Sequence, residues 1–128
     1  MKDFKNLKVW QKGIKMVVEI YKLTKNFPQE ELYGLTSQMR RSSVSIPSNI
    51  AEGFRRRTKI EKLRFLNISQ GSLEESRYYL ILARDLGYAD VSDLWILIEE
   101  TSKLLEGYSR SIQNSLASDS RLRNSDFI

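Results

Sequence analysis

Apolar residues recur at alternating spacings of three and four along most of the chain, and this pattern divides it into four helical segments. Such spacing places the apolar side chains on one face of a helix, which then packs against other helices. In the first segment the predicted core face consists of Leu7, Trp10, Ile14, Val17, Tyr21 and Thr24. A row of lysines at similar spacing lies on another face, so the outside of this helix is predicted to be basic.

The second segment begins after Phe27, because a proline disfavours helical geometry in the residue before it. Pro28 and the two glutamates that follow suit the first turn of a helix, so a start between Pro28 and Leu32 is expected. The predicted core face consists of Leu32, Leu35, Met39, Ile46, Ile50 and Phe54, with Ser42 or Ser43 filling the missing turn. Pro47 removes one backbone hydrogen bond inside this segment. One kinked helix is favoured over two shorter ones, because the apolar pattern stays in phase across the proline.

The third segment has a clear start. Thr58-Lys59-Ile60-Glu61 matches a capping box, in which the Thr58 hydroxyl and the Glu61 carboxylate satisfy free backbone amides. Gly87 is the predicted stop. The core face alternates large and small residues: Leu66, Ser69, Leu73, Ser76, Leu80 and Ala83. Gly71, next to this face, lowers helix propensity, so it is predicted to mark a crowded contact.

The fourth segment has the most regular pattern, with Asp90 or Ser92 as its predicted cap. Its core face consists of Val91, Leu94, Ile98, Thr101, Leu105, Tyr108, Ile112 and Leu116. Four helices joined by short connections predict an all-α, antiparallel up-down-up-down four-helix bundle over residues 1–116. Residues 117–128 are polar, and a disordered tail is expected there.

Composition restricts the chemistry that this chain can perform. It contains no cysteine and no histidine, which excludes disulfides, thiolate metal sites and histidine-based catalysis. No apolar run approaches the roughly 20 residues of a membrane span, and a soluble, cytoplasmic protein is expected. Glu52, Glu74 and Glu75 are the carboxylates considered for a catalytic cluster, but bundle di-metal sites also use histidines. We therefore predict a non-enzymatic protein with no catalytic, cofactor-binding or metal-binding residues.

Charge is unevenly distributed in a chain whose net charge is +5. Residues 2–25 contain seven lysines and two acids, residues 55–64 six basic residues and one acid, and residues 90–106 one lysine and five acids. Such asymmetry favours an anionic partner such as nucleic acid, although lysine-rich helix faces are also common on ordinary solvated surfaces. The candidate phosphate-binding residues are Arg40, Arg41, Arg55, Arg56, Arg57, Lys59 and Lys62.

Small and polar residues occupy positions where an ordinary bundle would have leucine. On the second helix a polar row runs from Gln38 to Arg56, and Gly71-Ser72-Leu73-Glu74-Glu75 follows on the third. Such residues suit close helix approach or a satisfied buried network. The candidate subunit-interface residues are Ser45, Ser48, Asn49, Glu52, Gly71, Ser72 and Glu75. An ordinary surface ion pair between Glu52 and Arg56 is the alternative for that part of the row.

Several of these elements together resemble a known family. They are Phe4-Lys5-Asn6-Leu7-Lys8-Val9-Trp10-Gln11-Lys12, Gln38-Met39-Arg40-Arg41-Ser42, Ser45 to Gly53 with its Asn-Ile-Ala-Glu-Gly element, Gly71-Ser72-Leu73-x-Glu75 and Leu86-Gly87-Tyr88. The chain resembles, from about Phe4 to Tyr108, the bacterial four-helix-bundle proteins encoded in intervening sequences of 23S ribosomal RNA. The resemblance implies a homo-oligomeric ring of five subunits and no established enzymatic activity. A related accessory protein of diversity-generating retroelements acts with a reverse transcriptase and RNA.

Two hypotheses on function remain open at this stage. In the first, an oligomeric ring binds RNA or DNA phosphates through basic helix faces, and repetition of a modest patch raises affinity. In the second, the protein is a structural or adaptor protein that binds another protein, and the polar row is a subunit interface. The two hypotheses differ in whether binding to polyanions weakens steeply with added salt.

Overall fold

Four α-helices form most of the computed structural model, which describes the backbone of residues 3–126 and the side chains of residues 3–120. The helices are α1 (Lys8–Thr24), α2 (Leu35–Phe54), α3 (Lys59–Asp85) and α4 (Ser92–Asp126). Short 3-10 turns at Phe4–Asn6 and Gln29–Glu31 precede α1 and α2. Residues 3–126 contain no strand, so the all-α prediction is confirmed for this part of the chain.

Each helix packs against the helices next to it in sequence, and α1 and α4 close the arrangement. Helices α2 and α3 run in opposite directions, because Ser42 contacts Ser76 while Ser45 contacts Ser72. The same holds for α3 and α4, where Arg77 pairs with Glu99 and Lys59 with Asp119. The arrangement is the predicted antiparallel bundle. No helix within the described residues is long and apolar enough to cross a membrane.

The core faces of α3 and α4 follow the sequence pattern closely, and α2 departs from it at Leu32, which lies before the helix and is 39% exposed. All six residues predicted for α3 are buried. Ser42 and Ser43 are both fully buried, at the turn of α2 where the core face has no large apolar residue. The hydroxyls inside the core have partners: Ser42 and Ser76 are 2.9 Å apart, and Ser69 donates to the Ile46 carbonyl at 2.8 Å. A buried hydroxyl is tolerated when it is hydrogen-bonded, and this explains how serine can replace leucine here.

The predicted core face of α1 is wrong, because a neighbouring row of residues on the same helix is buried instead. The buried residues are Val9, Gly13, Met16, Ile20 and Thr24, whereas Ile14 and Tyr21 are 40% and 41% exposed. This helix has two adjacent apolar stripes, and periodicity alone does not choose between them. Gly13 belongs to the stripe that is buried. A Cβ added at Gly13 would lie 3.3 Å from the Pro47 Cβ, so the absence of a side chain there lets α1 approach α2 closely.

The second helix begins later than predicted. Residues 29–31 form a 3-10 turn, and α2 starts at Leu35 after Gly34, whose backbone is not helical. The Glu31 carboxylate accepts a hydrogen bond from the Leu35 amide at 3.3 Å and so supports the delayed start. Helix α2 then continues without interruption through Pro47, as predicted. The Thr58 half of the predicted capping box is confirmed, because the Thr58 hydroxyl accepts from the Glu61 amide at 3.1 Å. The Glu61 carboxylate instead lies 3.6 Å from Arg64. Gly87 ends α3 with a φ of 75°.

Two other expectations need correction. Gly71 lies exposed on the outside of α3, and an added Cβ would meet nothing within 4 Å, so it does not mark a crowded contact in the bundle. Helix α4 does not end at Leu116 but continues to Asp126 in place of the expected disordered tail. Residues 117–126 contain no proline or glycine, and Asp119 forms an ion pair with Lys59, which ties this extension to α3. Residues 127 and 128 lie outside the described part of the chain.

Candidate nucleic-acid interface

The connection between α2 and α3 carries three consecutive exposed arginines. Arg55, Arg56 and Arg57 follow the last residue of α2 and precede the Thr58 cap, so they lie on a short turn at one end of the bundle. All three are exposed. Removing three adjacent cations from water is costly unless an anion pairs with them. The turn therefore presents a concentrated positive charge to solvent.

Two of the predicted basic residues at this turn, Arg56 and Lys59, have partners in the same chain. Arg56 lies over the Phe65 ring at 4.4 Å and is 3.8 Å from the Glu52 carboxylate. Lys59 forms an ion pair with Asp119 of α4. These contacts fix the direction of the side chains without burying their charges, since Arg56 stays exposed and Lys59 is half-buried.

Lys62 has a structural role. Its Nζ donates to the Phe54 carbonyl at 2.6 Å, which satisfies a free carbonyl at the end of α2. Partial burial lowers the pKa of the Lys62 ammonium below its usual value, because desolvation disfavours the charged form. This lysine is therefore less suited to contact phosphates than the prediction assumed.

The structure separates Arg40 and Arg41 from the turn. They lie 14 to 15 residues before it on α2, which corresponds to about 20 Å along the helix. Arg40 is directed towards α1, where Nε donates to the Thr24 hydroxyl at 2.9 Å and the guanidinium lies over the Tyr21 ring at 4.6 Å. Arg41 is directed towards α3 and donates to the Glu75 carboxylate at 2.7 Å. The seven predicted basic residues therefore do not form one surface.

Two lysines that the sequence analysis did not select lie near the arginine turn. The antiparallel packing of α1 on α2 brings Lys5 and Lys8 to the end where α2 terminates. Nearby, the pKa of Asp3 is lowered by the hydrogen bond from the Lys5 amide, with smaller contributions from the charges of Lys5 and Arg55. The row of lysines on α1 was visible in the sequence, but only tertiary packing shows which of them adjoin the turn.

The bundle is consequently polarised along its length. Among the described side chains, eight basic and four acidic residues lie at the end that carries the turn, which we call the basic end. The basic residues are Lys5, Lys8, Arg55, Arg56, Arg57, Lys59, Lys62 and Arg64, and the acids are Asp3, Glu52, Glu61 and Asp119. At the opposite end six acids accompany four basic residues. The acids are Glu19, Glu30, Glu31, Asp85, Asp90 and Asp93, and the basic residues are Lys22, Lys25, Arg40 and Arg84.

The candidate interface residues follow the outer edge of the α2–α3 contact. The Ser45 and Ser72 hydroxyls are 2.7 Å apart within the subunit, and the Asn49 side-chain amide donates to the Ser45 backbone carbonyl at 2.8 Å. Glu75 is also bound in its own chain, since it accepts from Arg41 and from the Tyr79 hydroxyl at 3.0 Å. Burial, followed by this bond to Glu75, raises the pKa of Tyr79. The remaining members, Ser48, Glu52 and Gly71, are exposed.

The three carboxylates considered for a catalytic cluster lie apart and have different partners. Glu52 is near Arg56, Glu74 pairs with Arg77 at 3.2 Å, and Glu75 pairs with Arg41. Within the described residues no group of three or more metal-ligating side chains is brought together.

Fold and charge define the class: an antiparallel four-helix bundle with one basic end. The chain belongs to the family described as 23S rRNA-intervening sequence protein, whose model matches residues 5–114. It is similar to the crystal structure of a protein of unknown function from the S23 ribosomal protein family of Bacteroides thetaiotaomicron. The two share 25% sequence identity and a TM-score of 0.71, over 80% of this chain and 95% of that chain. No curated protein matches. Neither description names a catalytic activity.

Proposed function

We propose that this protein is a non-enzymatic oligomer that binds RNA or DNA through its basic end. The observation that supports this is the exposed turn of Arg55, Arg56 and Arg57 beside Lys5 and Lys8. Phosphate contacts by lysine and arginine supply most of the affinity in binding that does not depend on sequence. The basic end has suitable charge and exposure for such contacts, and its most exposed members do not stabilise the core.

We also propose that the subunits assemble into a homopentamer. The exposed apolar side chains Ile14, Val18 and Tyr21 on α1 form a stripe that a neighbouring subunit would cover, and the number five follows the family resemblance. Several basic ends in one assembly would raise the affinity for a long polyanion. Light scattering on the purified protein tests this proposal. A mass near five times 15.0 kDa is expected, and a mass of one chain at micromolar concentration would contradict it.

Removal of two exposed arginines tests the nucleic-acid proposal. The variant Arg55→Ser/Arg57→Ser is expected to keep its helical content and oligomer mass while its affinity for mixed-sequence RNA or DNA decreases. Each lost phosphate contact flattens the dependence of log affinity on log salt by about 0.7 to 0.9. Gel-shift titrations at several salt concentrations measure this slope.

A matched control is Lys25→Ser/Arg84→Ser, which removes the same charge from the opposite end. This variant is expected to bind nearly as the wild type does, because the charges lie far from the proposed surface. Equal loss in both variants would indicate an effect of net charge alone. If the wild type binds neither RNA nor DNA at low salt, the adaptor hypothesis replaces this proposal.

A further inference from the structure

A groove between α1 and α4 lies on the side of the bundle next to the basic end. It has a volume of about 400 Å³, and it is lined by Lys8, Gln11, Lys12, Lys15 and Leu104. Its lining contains three lysines and no acidic side chain. We call it the lysine groove.

Two of the three lysines are available to an anion from solution. Lys12 is engaged, because its Nζ lies 2.9 Å from the Glu100 carboxylate. Lys8 and Lys15 are exposed, and they form no ion pair with any side chain of residues 3–120. They are seven residues apart on one helix, which corresponds to about 10 Å along its axis. A polyanion that contacts both lysines therefore runs along α1.

The lysine groove is continuous with the basic end. The Gln11 side chain, which lines the groove, donates to the Lys5 carbonyl at 2.8 Å. Lys5 and Arg55 in turn share a neighbour in Asp3. The pKa of Asp3 is lowered mainly by the hydrogen bond from the Lys5 amide and to a smaller extent by the charges of Lys5 and Arg55. Positive side chains thus extend from the arginine turn past Lys5 into the groove.

Acidic side chains mark the far limit of this positive surface. The adjoining groove further along α1 and α4 shares Lys12 and Lys15, but its lining also includes Glu19, Asp93 and Glu100. Like charges placed opposite one another are unfavourable, so phosphates are expected to bind no further than Lys15.

The surface proposed for subunit contact leaves the lysine groove free. The apolar stripe of α1 lies towards α2, where the Arg40 guanidinium is 4.6 Å from the centre of the Tyr21 ring. The groove lies on the other side of α1, where Lys12 contacts Glu100 of α4. Assembly through the stripe and binding in the groove are therefore compatible.

The two parts of the positive surface face different directions. The arginine turn lies at the end of the bundle, whereas the lysine groove lies along its side. A strand that contacts both parts bends sharply within a few nucleotides. Duplex DNA resists such a bend, because its persistence length is about 150 base pairs. A single strand has no base pairs to hold it straight and follows the corner at lower cost.

We propose that the lysine groove continues the phosphate-binding surface of the basic end, so that the protein prefers single-stranded nucleic acid to duplex. The inference rests on the proposed function and adds the class of nucleic acid to it. A positively charged groove that follows the backbone is typical of proteins that bind single strands. The lining contains no aromatic side chain on which a base could stack, so binding is expected to be independent of sequence.

A single strand and a duplex of the same length test this preference. Both are labelled, have about 12 nucleotides per strand, and are titrated with the wild type at several salt concentrations by fluorescence anisotropy. The single strand is expected to bind more tightly. The variant Lys8→Ser/Lys15→Ser should flatten the dependence of log affinity on log salt for the single strand by about 0.7 per lost contact. The same dependence for the duplex should stay as in the wild type.

The matched control is Lys22→Ser/Lys25→Ser, which removes two exposed lysines near the other end of α1. It is expected to keep both salt dependences of the wild type. All four lysines are exposed, so circular dichroism and light scattering should show unchanged helical content and mass in both variants.

Three results would count against the proposal in distinguishable ways. An unchanged salt dependence for the single strand in Lys8→Ser/Lys15→Ser would overturn the groove assignment and leave the proposed function intact. Equal affinity of the wild type for strand and duplex, or equal flattening with both, would overturn the preference for single strands. Binding to neither at low salt would overturn the proposed function and this inference with it.

Discussion

The contact between α2 and α3 and the contacts made by α4 use polar residues in opposite ways. Between α2 and α3 the polar groups are small and internal: Ser42, Ser69 and Ser76 are fully buried and hydrogen-bonded. Around α4 most buried residues are large and apolar, Thr101 and Ser109 being the exceptions, and the charged pairs lie towards its rim. These pairs are Lys12–Glu100, Arg77–Glu99 and Lys59–Asp119.

This difference indicates which contact specifies the fold. A small buried hydroxyl tolerates little change, because it must keep both its partner and its close helix spacing. An exposed pair such as Lys12–Glu100 exchanges one solvated state for another and contributes about 0–1 kcal/mol. Arg77–Glu99 differs, because the Arg77 side chain is only 18% exposed. We therefore expect α2–α3 to be the rigid half of the bundle and the α4 contacts to tolerate substitution.

The largest expected effect concerns two glycines. At Gly53 an added Cβ would lie 3.1 Å from the Phe65 Cβ and 3.3 Å from the Lys62 carbonyl, whereas Gly71 has free space around it. Gly53→Leu should reduce the free energy of unfolding by about 3 kcal/mol through overpacking. Gly71→Leu should raise it by about 0.5–1 kcal/mol through helix propensity. Urea unfolding at one protein concentration measures both.

Equal destabilisation by the two leucines would contradict the contrast between these positions. Light scattering on the Gly71→Leu variant adds a separate test of the predicted subunit interface. If Gly71 lies between subunits, the assembly should lose mass although the isolated bundle has room for the side chain.

A smaller effect is expected for two buried serines. Ser69→Ala removes the hydrogen bond to the Ile46 carbonyl and should cost about 1 kcal/mol of unfolding free energy. Ser109→Ala removes a buried hydroxyl that has no partner within residues 3–120, so the free energy of unfolding should stay the same or increase. Thermal and urea unfolding of the two variants provide the comparison. A loss of stability in Ser109→Ala would mean that its hydroxyl is hydrogen-bonded in solution.

The smallest effect concerns the pair between Lys12 and Glu100. The hydrogen bond and the charge of Lys12 hold the pKa of Glu100 below its ordinary value of 4.5. Lys12→Ala should return this pKa towards that value, as a carbon-detected NMR titration of the carboxyl group would show. The contribution of the pair to stability is present above the ordinary pKa and is lost as pH falls through the lowered one. An unchanged pKa in the variant would show that the pair does not persist in solution.

Much of the bundle was predictable from sequence because amphipathic periodicity depends on local spacing. The six core positions of α3 and the Thr58 cap are correct, since each is determined by residues three or four apart. Helix α1 shows the limit of this reasoning. Its two apolar stripes are equally periodic, and only the approach of Gly13 to Pro47 selects the buried one. The expected disorder after Leu116 was wrong for a related reason, because the partner of Asp119 is 60 residues away.

The sequence by itself determined the all-α class, the absence of cysteine and histidine chemistry and the three charged segments, since these depend on composition and local order. The tertiary structure decided which charges share a surface. It separated Arg40 and Arg41 from the arginine turn, assigned Lys62 to the end of α2, and brought Lys5 and Lys8 into the basic end. Charge and hydrogen bonding act through distance in space, and distance in space is set only when the helices pack.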